Sequence, residues 1–154
     1  LEDLPRVGIR LALTDNLEEF SWFGKGPHET YCDRKESGLL AVHHSTVSSQ
    51  YVPYILPQDH GNLTDVRWLQ LNNSGGDGIK ISATKPIEAS ASHYPHEILT
   101  PAFHTYEISP DPDTWLCLDV MQRGVGGASC GPDTLEQYRV PAGTHLLEYQ
   151  ICHV

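Results

Sequence analysis

The chain has 154 residues, a formal net charge of −10, and charged residues at 19% of positions. That length is enough for one domain with a real core, so residues 1–154 are read as a single unit. An acidic chain with scattered Lys and Arg argues against nucleic acid and anionic membranes as partners, and no apolar run approaches a membrane span.

Leu1 is not a start Met and no signal-like segment follows, so the chain is expected to be part of a longer polypeptide. Cys32, Cys117, Cys130 and Cys152 stand at no metal-ligand spacing, and a disulfide framework does not suit this size and cysteine density. Free thiols in a reducing cytoplasm are expected, with Cys117 and Cys152 buried in apolar strand-like runs. The sequons at Asn62 and Asn72 would matter only in a eukaryotic secreted protein.

In chain order, "VGIRLAL" alternates, with Val7, Ile9, Leu11 and Leu13 on one face, and predicts a half-buried strand. "FSWF" (20–23) is a short aromatic strand. The stretch 32–49 has weak periodicity and predicts no element. "VRWLQL" (66–71), the turn cluster "NNSGGDG" and "IKISA" predict a hairpin. "PHEIL" (95–99) suits one helical turn. "WLCLDVM" (115–121) is nearly continuous and predicts a strand buried on both faces. "RVPAGTHLLEYQI" predicts a strand end, a turn and a last strand. Thirteen Gly and eleven Pro leave little room for long helices, so the fold class is all-β, an antiparallel sandwich.

Chemistry-bearing patterns are weak by themselves. Glycoside hydrolysis needs two carboxylates flanking one bond, and twenty acidic residues do not single out a pair. "HYPHE" (93–97) places two His three apart, but Pro95 disrupts the helix that would aim them at one metal. His43 and His44 point to opposite faces of a strand. "GASCG" (127–131) only superficially resembles a nucleophile elbow, because the residue in the nucleophile slot is wrong. The three Trp and seven Tyr suit stacking against sugars as well as core packing. The residues alone therefore describe an all-β domain, with carbohydrate as the ligand class that its aromatics suit.

Longer motifs carry a resemblance. "LPRVGIRLAL", "WFGKGPHETYCDR", "YVPYILPQDHGNLTDVRW", "LDVMQRGVGGASCGPDT" and "YRVPAG" occur in this order. Together they resemble the C-terminal, small-chain region of bacterial β-galactosidases of glycoside hydrolase family 2. The resemblance implies half of a β-supersandwich similar to aldose mutarotases. It also implies that the catalytic glutamates and the magnesium and sodium sites belong to an upstream barrel. No catalytic residue, metal site or cofactor is therefore expected within this chain.

The implied partners are a β-galactoside such as lactose and the rest of the β-galactosidase, in an oligomeric bacterial cytoplasmic enzyme. The family's loop "GGDxSWGP" carries a Trp platform at the substrate entrance. Cys130 matches that Trp, so Cys130, Ser129 and Gly127 are the expected substrate-binding loop residues. Asp59, His60, Arg67 and His104 are weaker sugar-groove candidates. Their structural alternatives are buried Arg–carboxylate pairing for the 59–67 stretch and a satisfied core or interface histidine for His104. The competing functions are a free-standing carbohydrate-binding module and a mutarotase-like sugar epimerase.

Overall fold

The computed structural model describes residues 3–14, 16–127 and 130–154. Strands β1 (Arg6–Leu13), β2 (Glu19–Gly26), β3 (Leu39–Thr46), β4 (Leu63–Asn72), β5 (Gly78–Ser92), β6 (Thr114–Gln122) and β7 (Tyr149–His153) form one seven-stranded sheet. All its pairings are antiparallel, in the order β1-β6-β5-β4-β2-β3, with β7 added to β5. One helical turn, α1 (His96–Leu99), and short 3₁₀ turns complete the described chain, and no helix among these residues is long and apolar enough to cross a membrane. The all-β antiparallel class expected from the sequence is what the chain adopts.

Strand β5 organises the sheet. Its first part pairs β7 over Ile79–Ala83, and its last part pairs β6 over Glu88–Ser92. Pro86 falls in the gap between the two ladders, where its missing N–H interrupts neither. Across β5, β4 follows both parts and accommodates the change in direction with register shifts between Leu63 and Trp68. The β4–β5 hairpin and the helical turn fall where the sequence placed them.

The two faces differ in chemistry. Phe20 and Trp22 of β2, Leu69 and Leu71 of β4, Ala89 and Ala91 of β5, and Leu116 and Leu118 of β6 belong to one buried cluster. These side chains lose nearly all contact with water, although one flat sheet cannot cover its own face. The sheet must therefore curl so that its two ends share one core, aided by Leu17, Val47 and Leu147. Each fully buried large side chain here contributes about 1.5–3 kcal/mol of transfer free energy.

The opposite face at the β1-β6-β5 end is polar. Arg10 pairs in register with Cys117, Ser90 with Cys117, and Glu88 with Asp119. It is this face that segment 51–62 and α1 approach.

Two sequence expectations are corrected. Cys152 is exposed, not buried, because β7 is a short outer strand whose residues are all exposed. The stretch 32–49, where no element was expected, contains β3. Its partial exposure (Leu39, Leu40 and Val42 all face water) is what blurs its alternation.

Candidate functional site

The glycine-rich loop that follows β6 is tied at its base by contacts of Arg123, Arg139, Gly124 and Asp33. Arg123 opens it: Nε donates to Asp3 at 2.7 Å, and its NH2 group donates to both oxygens of Asp133, at 2.7 and 2.6 Å. Arg139 adds a second cation 3.3 Å from Asp133. The Asp133 carboxyl is held below its ordinary range, chiefly by the Arg123 hydrogen bond and then by the Thr134 N–H. The Gly124 N–H donates to the Tyr138 carbonyl at 2.9 Å, which fastens the departing strand to the returning chain.

Asp33, from the segment joining β2 and β3, is the remaining tie. Its carboxylate accepts from the Val125 N–H at 3.1 Å, the Gly126 N–H at 2.8 Å and the Thr134 hydroxyl at 3.3 Å. The glycines are needed here. A Cβ on Gly124 would lie 2.7 Å from the Asp33 carboxyl carbon, and Gly126 has φ +57 with Thr134 N 2.9 Å from where its Cβ would be.

Beyond this neck, Gly127, Cys130, Gly131 and Pro132 are exposed, and the Cys130 N–H donates to the Gly127 carbonyl at 2.9 Å. Ser129, the third expected loop residue, lies outside the described residues. The loop is thus a short arm with an exposed thiol on a fixed root.

A polar network runs from the root across the sheet face. Arg6 contacts the Asp119 carboxylate and also donates to Asp59 at 2.9 Å. His96 Nε2 stands 3.2 Å from Asp59, and the Gln122 amide donates to Asp59 at 3.3 Å. Burial opposes ionisation of Asp59, but His96 and Arg6 outweigh it and hold the carboxyl below its ordinary range. Burial pushes the Asp119 carboxyl up, against the pull of Arg6. Glu88 faces Asp119 across the ladder and accepts from the Asn62 amide at 2.6 Å. Burial dominates there and lifts the Glu88 carboxyl to about 7.

The weaker candidates do not converge. Asp59 joins the Arg6 network, and His60 is buried beside it, its Nδ1 donating to the Gln58 carbonyl at 2.9 Å. Arg67 lies elsewhere: it donates to the Asp65 carbonyl at 2.7 Å and sits over the Phe23 ring. The expected Arg–carboxylate pairing of the 59–67 stretch is therefore made by Arg6, not Arg67. Arg67 is held within β4 by the Asp65 carbonyl and the Phe23 ring, whereas Asp59 lies in the segment before that strand, against β1 and α1. Asp65 pairs instead with Lys35 at 3.1 Å.

His104 is exposed rather than in the core, stacked on Tyr106 at 5.0 Å and paired with Glu107 at 3.0 Å. It does border an open groove with Tyr51, Pro53, Tyr94 and Tyr106. Among the three Trp, Trp22 is fully buried, while Arg10 covers Trp115 and Lys80 covers Trp68. His43 stacks on Trp22 and His44 meets Ser21, so the paired histidines do face opposite ways. Among the described residues no group of three or more His, Cys, Asp and Glu could hold a metal ion.

Sequence reasoning singled out the loop but not Asp33, Arg123 or Asp133. An available signal was a charge of each sign bracketing a run of glycines.

An all-β chain that presents an exposed loop from a charged, tied root is the class these features define. The chain belongs to the β-galactosidase small chain family, whose model matches residues 2–152. It is 35% identical over 153 residues to a β-galactosidase of Arthrobacter sp. (strain B7), covering 96% of this chain and 15% of that protein. It is 34% identical over 127 residues to a β-galactosidase of Priestia megaterium, covering 82% of this chain and 12% of that protein. A third relative, β-galactosidase BgaC of Bifidobacterium adolescentis, is 34% identical over 150 residues, 95% of this chain and 14% of that protein. The chain therefore spans only 12–15% of the length of these relatives.

Proposed function

We propose that this chain acts as an all-β domain of a β-galactosidase that hydrolyses terminal β-galactosides, and that its part is to shape the substrate entrance. On this reading the reacting carboxylates reside in the remainder of the enzyme. The chain supplies the arm at 124–132, with Cys130 facing the incoming sugar. The observation that carries the reading is the arm itself: an exposed tip on a root fixed by Asp33, Arg123 and Asp133. A loop that serves only to connect strands has no need of such a root, whereas a loop that must meet a ligand at one position does.

The polar network of Arg6, Asp59 and Asp119 has a structural role on this reading, holding segment 51–62 and α1 against the sheet. The test is release of a chromogenic phenol from an aryl β-galactoside by the full-length protein and by residues 1–154 alone. Turnover by the full-length protein and none by the isolated chain is expected. Turnover by the isolated chain that survives repurification would contradict the assignment.

A second reading, sugar binding by the chain alone, draws on the open groove between Tyr51, Tyr94, His104 and Tyr106. Titration of the isolated chain with lactose, followed by tyrosine fluorescence, distinguishes it. A saturable change lost in Tyr106→Ala would support this reading.

A further inference from the structure

The turn that carries Asp33 is itself built to hold a position. Reciprocal backbone hydrogen bonds between Tyr31 and Arg34, at 3.2 and 2.8 Å, close it and leave Cys32 and Asp33 at its tip. Cys32 Sγ lies 3.5 Å from the Gln122 carbonyl and 3.8 Å from the Tyr138 carbonyl, so the tip seats on both chains of the neck. Asp33 then receives two consecutive backbone N–H groups, those of Val125 and Gly126, one on each carboxylate oxygen. Paired N–H groups of this kind form a small anion cradle, and hydrogen bonds to a carboxylate are stronger than neutral ones. Gly124 lets the carboxylate approach, and Thr134 brings in the returning chain.

We propose that Asp33 is a positioning residue for the arm: it fixes the direction in which the chain leaves β6 and so where Cys130 meets the substrate. This rests on the entrance reading given above. Asp33 does not touch the sugar and acts only through the backbone of Val125 and Gly126. The requirement is for a carboxylate specifically. Asn has nearly the same volume but offers one acceptor oxygen, and its amide N–H would face the second backbone donor.

The test uses the full-length protein with Asp33→Ala, Asp33→Asn and, as a reference, Cys130→Trp. Two quantities are measured: hydrogen exchange at the Val125 and Gly126 amides, and KM and kcat on an aryl β-galactoside. Asp33→Ala is expected to raise exchange at both amides at least about tenfold, because their acceptor is gone. It is expected to raise KM about three- to tenfold with kcat within about twofold, the pattern of lost ground-state positioning. Asp33→Asn should fall between, and it serves alone if the Ala variant does not fold.

Unchanged exchange would overturn the proposal, because Asp33 would then not hold the neck. Unchanged KM with faster exchange would also overturn it. In that case Cys130→Trp separates the causes. If Cys130→Trp shifts KM, only the role of Asp33 falls. If it does not, the entrance reading falls as well.

Discussion

Glu88 illustrates how a single buried acid sets a pH dependence. It sits against Asp119 with the Asn62 amide as partner, and its carboxyl titrates at about 7 instead of 4.5. Below the unfolded value both states hold the proton and the group costs nothing. As pH rises from about 4.5 to 7, the unfolded chain gives up its proton first, so this group's contribution turns against the folded state. Above 7 the cost is complete, on the order of 3 kcal/mol from the size of the shift. Glu88→Gln keeps an acceptor for Asn62 and removes the charge. We expect the variant to match the native chain near pH 4 and to exceed it at pH 8 by roughly that amount, read from urea unfolding at both pH values. Equal stability at pH 8 would show that Glu88 is not desolvated. The sequence could not single out Glu88, since nothing local marks one of twenty acids as buried.

Strand β3 raises the corresponding question for an element. It closes one edge of the sheet, pairs only β2, and exposes Leu39, Leu40 and Val42. An edge with free N–H and C=O groups and apolar side chains is a template for further pairing. The isolated chain is therefore expected to self-associate, and Val42→Lys to weaken that association at least several-fold, because a charge at an exposed edge opposes stacking. Sedimentation at several concentrations decides this. A chain that stays monomeric throughout would mean that the edge is protected. Legibility in the sequence tracks exposure here. β1 alternates cleanly because one face is core and the other is not, and the β4–β5 hairpin was marked by its Asn- and Gly-rich turn. β3 could not be read because both of its faces are partly wet. The polar network escaped for another reason. Arg6, Asp59, His96 and Asp119 are far apart in sequence, and only the pairing of β1 with β6 and the return of segment 51–62 bring them together.

At the scale of the whole molecule, the four free thiols divide by environment. Cys117 is buried, and burial pushes the Cys32 thiol up to about 11, whereas Cys130 and Cys152 are exposed. A thiol reagent at pH 8 should label Cys130 and Cys152 quickly, and should reach Cys32 and Cys117 only in denaturant. Equal rates for all four would contradict the packing around β6. Membership of the β-galactosidase small chain family was legible from ordered motifs spanning most of the chain. The root of the arm was not, since Asp33 meets Val125 and Gly126 only after β2, β3 and β6 are in place. The claim that the arm lines the substrate entrance is tested most directly by KM and kcat of the full-length protein carrying Cys130→Trp. An indole there adds a stacking face worth about 0.5–1.5 kcal/mol, which predicts KM lowered from about twofold to tenfold with kcat unchanged or reduced. Cys130→Ala should change little, since a thiol makes only weak hydrogen bonds. An unmoved KM in Cys130→Trp, or a large fall in kcat for Cys130→Ala with KM and stability unchanged, would contradict it.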